Sequence, residues 1–144
     1  MEASPAPLSD LECVSLGTIS FTRQDVADYC RLAADGNPIH QGDEGIIPLG
    51  LLVGSVGGKL FEWGRQNSVK KAVIIGYTPA IECEPGQLQP GRRPAKVGKL
   101  YTVSAYFDDT LALAGRVDVH FEIEDAENPS SFVLKGEFQI KYFR

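Results

Sequence analysis

The sequence predicts an α+β fold, an antiparallel curved sheet wrapped around one central helix, and three observations carry that reading. Two helical stretches stand near the start of the chain, one amphipathic and one apolar nearly all round. From residue 71 onward the chain reads almost entirely as strand. Runs of strands following a pair of helices, without βαβ alternation, give a sheet with helix segregated to one face. The strands also outnumber the helices that could cover them, so a second copy of the chain is expected to cover part of the sheet.

Taken in order, residues 1–10 ("MEASPAPLSD") have neither a basic start nor an apolar run. They are expected to form a short disordered lead and not a signal peptide, leaving one domain over 11–144 and a cytoplasmic protein. A short strand precedes Phe21. Thr22 can then cap a helix, with Asp25 at the third helical position to return the bond and Phe21 stapling onto Val26. Val26, Tyr29, Cys30 and Ala33 recur at i, i+3, i+4 and i+7, so one apolar stripe runs along a helix from about Arg23 to Ala34. Gly36 and Pro38 forbid its continuation.

The second helix, "LGLLVGSVGGKLFEW" (49–63), carries Gly50, Gly54, Gly57 and Gly58. Four glycines cost roughly 3–4 kcal/mol of helix propensity relative to alanine, so burial must compensate. Gly50, Gly54 and Gly58 fall at i, i+4 and i+8, a stripe along which another backbone could approach. Leu52, Val53, Val56, Leu60 and Phe61 fill the other faces, and Phe61 and Trp63 are expected in the core. Lys71–Tyr77 reads as a buried strand that Ile81–Cys83 could extend, 84–94 ("EPGQLQPGRRP") as a turn-rich excursion, and Leu100–Phe107, Arg116–Glu124 and Ser131–Phe143 as long strands. In the middle one Val117, Val119, Phe121 and Ile123 alternate with Asp118, His120, Glu122 and Glu124, one face core and one wet. Asp125–Ser130 is the turn between the last two.

Several function classes are excluded at this level. The chain of 144 residues carries a net charge of −5, so no nucleic-acid surface is expected. No apolar run reaches membrane-spanning length. Three widely spaced cysteines (Cys13, Cys30, Cys83) offer neither a disulfide scaffold nor a zinc site, and no metal or other cofactor is expected. "GSVGGK" (54–59) imitates a phosphate loop, but the required glycine would stand at 53, which is Val53, and Leu60 replaces the Ser/Thr.

What remains is "ADGNPIH" (34–40), an acid and a histidine five residues apart across Gly-Asn-Pro-Ile. Asp35 falls at a helix exit, where the turn fixes it. Asn37 can satisfy the loop backbone and Pro38 removes rotational freedom. His40 carries an imidazole, a group that can take and give a proton. His120, on the polar face of a strand, reads as surface.

"FTRQDVADYCRLAADGNPIH" (21–40) resembles the hydratase signature of the MaoC-like, R-specific enoyl-CoA hydratases, in which a D-x-N-P-x-H string precedes the long central helix of a hotdog fold. Asp35, Asn37, Pro38 and His40 match, followed by "PLGLLVGS" (48–55) at the helix entry. The resemblance implies addition of water to, or its removal from, an acyl thioester across Cα–Cβ, with Asp35 and His40 as the catalytic dyad. It also implies that the N–H of Gly50 binds the thioester oxygen as enolate character develops. Asn37, Ser55 and Gly58 are then expected beside the substrate, and Arg92 and Arg93 of "GRRPAK" near the phosphates of coenzyme A or an acyl carrier protein.

The sequence departs from the family in three places: the 40–50 segment is shorter, Leu49 replaces the histidine before the entry glycine, and Gly58 stands where a serine is frequent. Two alternatives stay open: a polyketide-type dehydratase, isomerase or cyclase acting on a carrier-bound intermediate, or a module that binds an acyl thioester without chemistry. A homodimer is expected in each case.

Overall fold

A computed structural model of the chain describes residues 11–42, 45–67, 72–79 and 94–142. Among these residues five antiparallel strands form one sheet: β1 (Glu12–Ile19), β2 (Ala72–Pro79), β3 (Tyr101–Asp108), β4 (Arg116–Asp125) and β5 (Asn128–Tyr142), in spatial order β1-β3-β4-β5-β2. Two helices, α1 (Arg23–Leu32) and α2 (Leu49–Gln66), lie between β1 and β2 in the chain. Leu52, Val56 and Leu60 of α2 are buried together with Val103, Ala105, Phe121, Ile123 and Phe138 of the sheet. At about 2 kcal/mol for each such aliphatic side chain, these three contribute roughly 6 kcal/mol, more than the glycines of α2 cost.

The wet and dry faces of β4 are as the alternation predicts. Val119, Phe121 and Ile123 are buried, while His120 stands on the outer face with Nδ1 3.6 Å from Glu137 Oε2. Hairpin β4–β5 is tighter than expected. Asp125 pairs directly with Asn128, and Asp125 Oδ1 accepts the Glu127 N–H at 2.9 Å, so the turn is two residues long and β5 begins at Asn128.

Four expectations are corrected. The strand read as buried is β2, an edge of the sheet, on which Val73 and Ile75 are 42% and 55% exposed; its proposed extension, 81–83, lies outside the described residues, as do 1–10 and most of the 84–94 excursion. Phe61 is 58% exposed, whereas Trp63 packs on Phe107 with ring centroids 4.8 Å apart. Helix α2 runs one turn further than expected, to Gln66. Its glycine stripe receives no backbone from the described residues: among them, a Cβ on Gly54 or Gly58 would meet nothing within 4 Å.

Packing in the sheet requires a glycine at Gly136 in β5. A Cβ there would come within 2.8 Å of both Phe121 and Tyr77, whose rings belong to a cluster with Phe138. Gly136→Ala therefore overpacks the cluster and is expected to lower the unfolding free energy by about 1–3 kcal/mol, measured by urea denaturation against the parent chain.

Candidate active site

Local hydrogen bonding builds the site. Thr22 and Asp25 form the full capping box, Thr22 Oγ1 accepting the Asp25 N–H at 3.0 Å and Asp25 Oδ2 accepting the Thr22 N–H at 2.9 Å. Helix α1 ends two residues before the expected Ala34. Ala34 itself takes the left-handed conformation, φ 54°, so that the Asp35 N–H reaches the Cys30 carbonyl at 2.8 Å and the Ala34 N–H reaches that of Arg31 at 3.4 Å. These two bonds are the Schellman pattern, with alanine where glycine is usual.

Each side chain of the following turn bonds the backbone two residues on. Asp35 Oδ1 accepts the Asn37 N–H at 3.1 Å, and Asn37 Oδ1 accepts the Ile39 N–H at 3.2 Å, capping a 3₁₀ turn over Pro38–His40. The turn brings Asp35 Oδ2 to 3.2 Å from His40 Nε2, with the two side chains 34% and 11% exposed respectively.

The other ring nitrogen decides the tautomer. His40 Nδ1 lies 2.6 Å from the Ile46 carbonyl oxygen. A carbonyl only accepts, so Nδ1 carries hydrogen. In a neutral ring Nε2 would then present a lone pair to a carboxylate, two acceptors face to face. The contact at Nε2 is a hydrogen bond only when one further proton lies between the two residues.

The pair opens into a cleft of about 590 Å³, with Val26, Ala27 and Cys30 as its apolar wall and Asn37 beside it. Burial pushes the Cys30 thiol up, and the Asp35 carboxylate adds to the effect. Cys30 is thus held as a thiol, which is a poor nucleophile.

The other expected site residues are placed elsewhere. Gly50 stands in the first turn of α2, where Pro48 provides no side-chain cap and the Leu51 and Leu52 N–H groups already use the Pro48 carbonyl. The Tyr29 hydroxyl lies directly over Gly50, where any Cβ would collide with it, and Gly50 does not line the dyad's cleft. Ser55 donates its hydroxyl to the Leu51 carbonyl at 2.8 Å. With Gly58 and Lys59, Ser55 lines a separate groove of about 510 Å³ against β1. Arg92 and Arg93 lie outside the described residues. Tyr29 and the Ile46 carbonyl were not singled out in the sequence; Tyr29 showed there only as one member of the apolar stripe, and a main-chain oxygen leaves no signal in residue types.

No family profile and no curated protein matches the sequence. Solved structures do match. An (R)-hydratase from A. caviae involved in PHA biosynthesis is similar over 92% of this chain and 96% of its own, at 18% identity and a TM-score of 0.71. The C-terminally truncated HadBC complex, a 3R-hydroxyacyl-ACP dehydratase from Mycobacterium tuberculosis, matches over 91% and 96% at 11% identity and a TM-score of 0.64. A 1,4-dihydroxy-2-naphthoyl-CoA thioesterase from Synechocystis matches over 90% and 81% at 11% identity and 0.58. With the topology above, these likenesses define a hotdog-fold protein. Within that fold, the chain is similar in structure to the R-hydratases, as its D-x-N-P-x-H string led one to expect.

The backbone strain at Ala34 has a measurable consequence. A left-handed alanine costs more than a left-handed glycine, less the extra chain entropy that glycine loses on folding. Ala34→Gly is expected to raise the unfolding free energy by about 0.5–1 kcal/mol, read from the urea midpoint.

Proposed function

We propose that the chain is a hydro-lyase that interconverts a 3-hydroxyacyl thioester and the corresponding 2-enoyl thioester. The observation that carries this reading is the dyad, in which Asp35 Oδ2 faces His40 Nε2 at 3.2 Å while Nδ1 is spent on a carbonyl. With one proton between its two facing atoms, the pair would have one proton to give and one basic site to receive another. Dehydration needs both at once. A proton leaves Cα for the pair, the Cα electrons form the Cα–Cβ double bond through an enolate, and the Cβ–O bond breaks. The pair's proton goes to the departing hydroxyl, which leaves as water, so the dyad ends as it began. In this scheme His40 takes the Cα proton and Asp35 holds the hydroxyl, with the Gly50 N–H as donor to the thioester oxygen.

The carrier is coenzyme A or an acyl carrier protein, and both substrates belong in the assay. Crotonyl-CoA and a carrier-bound crotonyl group are expected to lose the ultraviolet absorbance of the conjugated thioester in the presence of the protein. His40→Ala and Asp35→Asn are each expected to slow that loss by about 10²–10⁴-fold with the melting temperature nearly unchanged. Wild-type turnover in either variant overturns the assignment, and a carrier-only reaction favours the polyketide-type alternative.

A homodimer completes the proposal. Edge strand β2 leaves Val73, Ile74 and Ile75 exposed, beside a ladder that no other described strand pairs, a template for pairing with a second copy. Ile75→Lys places a charge on that edge and is expected to shift the protein from dimer to monomer in light scattering.

A further inference from the structure

Tyr101 opens β3 and is 2% exposed, with its ring among the core residues and its hydroxyl accepting the Lys96 N–H at 2.8 Å. The proposed reaction assigns no role to it. Residues 45–47 and 95–97 form a miniature antiparallel ladder: the Ile47 N–H donates to the Ala95 carbonyl at 2.8 Å, and the Val97 N–H to that of Gly45 at 3.1 Å. Ile46 and Lys96 are the bridged pair between those bonds. In such a pair the polar groups of the two central residues point away from each other's strand. On one side the Ile46 N–H donates to the Ile39 carbonyl at 2.8 Å, and the Ile46 carbonyl accepts from His40 Nδ1 at 2.6 Å. On the other side the outward N–H of Lys96 is taken up by Tyr101.

We propose that Tyr101 is a positioning residue for His40, acting through Lys96 and Ile46 to hold the imidazole in its Nδ1-protonated form with Nε2 aimed at Asp35. The proposal rests on the hydro-lyase reading for its catalytic consequence and on geometry alone for the tautomer. A buried phenol is otherwise an expensive choice where phenylalanine would pack, because its hydroxyl must find a partner. Here the partner is the backbone of the strand that anchors the catalytic ring.

The test uses the full chain with ¹⁵N-labelled histidine. Only two histidines are present, and His120→Gln identifies the signals of each. Wild-type His40 is expected to give the signature of a ring hydrogen fixed on Nδ1. In Tyr101→Phe that signature is expected to give way to an average of both tautomers, with kcat on the enoyl thioester down about tenfold or more and KM nearly unchanged. Phe138→Leu, a core change remote from the ladder, controls for lost stability and is expected to lower the melting temperature without moving the signature.

A Tyr101→Phe protein that melts earlier but keeps the wild-type signature overturns the proposal. Should that variant not fold, Lys96→Pro deletes the same bond from the donor side without touching the ladder's own bonds, and the same readouts decide. Absence of turnover in the wild type, on both carriers, sinks the hydro-lyase reading, while the tautomer still decides the positioning claim.

Discussion

The hydrogen bond from His40 Nδ1 to the Ile46 carbonyl ties a surface turn to the sheet. One end belongs to the turn that leaves α1; the other belongs to residue 46, which is bridged to residue 96. The chain runs from there directly into β3, in the middle of the core. Neither dyad residue lies on a strand, yet the orientation of Nε2 inherits the rigidity of the sheet through this short path. A histidine held by its own loop alone would have to be ordered when substrate binds. Here the ordering entropy is lost on folding, and a preoriented group needs no further organisation at the moment of reaction.

The parts of this arrangement that were legible in the sequence are the local ones. The capping box of Thr22 and Asp25 spans four residues, and the Asp35 and Asn37 side chains each bond the backbone two positions on. In both places the residue type states its own partner. The alternation along β4 was legible because periodicity reports which face is dry, and helix α2 was legible from a long apolar run, which reports burial but not which face is dry. Tyr29 over Gly50 and Tyr101 against Lys96 were not, since each joins groups that a helical stripe or a strand pattern shows only as apolar positions. The end of α1 was assigned to Gly36 and Pro38 because glycine and proline end helices at least cost, whereas the chain turns at Ala34 and accepts the strain. Phe61 and β2 were read as core, because apolar composition cannot separate a surface covered by the same chain from one left for another.

The glycines of α2 show how two explanations for one residue are separated by contacts. Gly50 has a packing reason, the Tyr29 hydroxyl, that stands independently of any role for its N–H. Gly54 and Gly58 have none among the described residues, and together with Phe61 and the outer edge of β2 they mark where, among those residues, backbone or apolar surface is left uncovered. Surface of that kind is unusual on a protein that acts alone. The expectation of a partner therefore rests on exposed side chains as well as on the count of strands.

The valences of the dyad also bear on which reaction this version of the hotdog scaffold suits, since hydratases and a thioesterase share the fold. Asp35 has committed Oδ1 to the Asn37 N–H, and His40 has committed Nδ1 to Ile46. Each residue is left with one further atom, and these two atoms face each other at 3.2 Å. A group that enters between them must donate to one and accept from the other, which is the capacity of water or of a 3-hydroxyl. A carbonyl oxygen, which only accepts, cannot satisfy both. The cysteine in the same cleft is kept protonated by burial and by the Asp35 charge, so an acyl group would find no thiolate there. In the proposed reaction the pair would meet the hydroxyl end of the hydration equilibrium, and the carbonyl end would fall to groups outside the pair, the Gly50 N–H being the donor proposed for it.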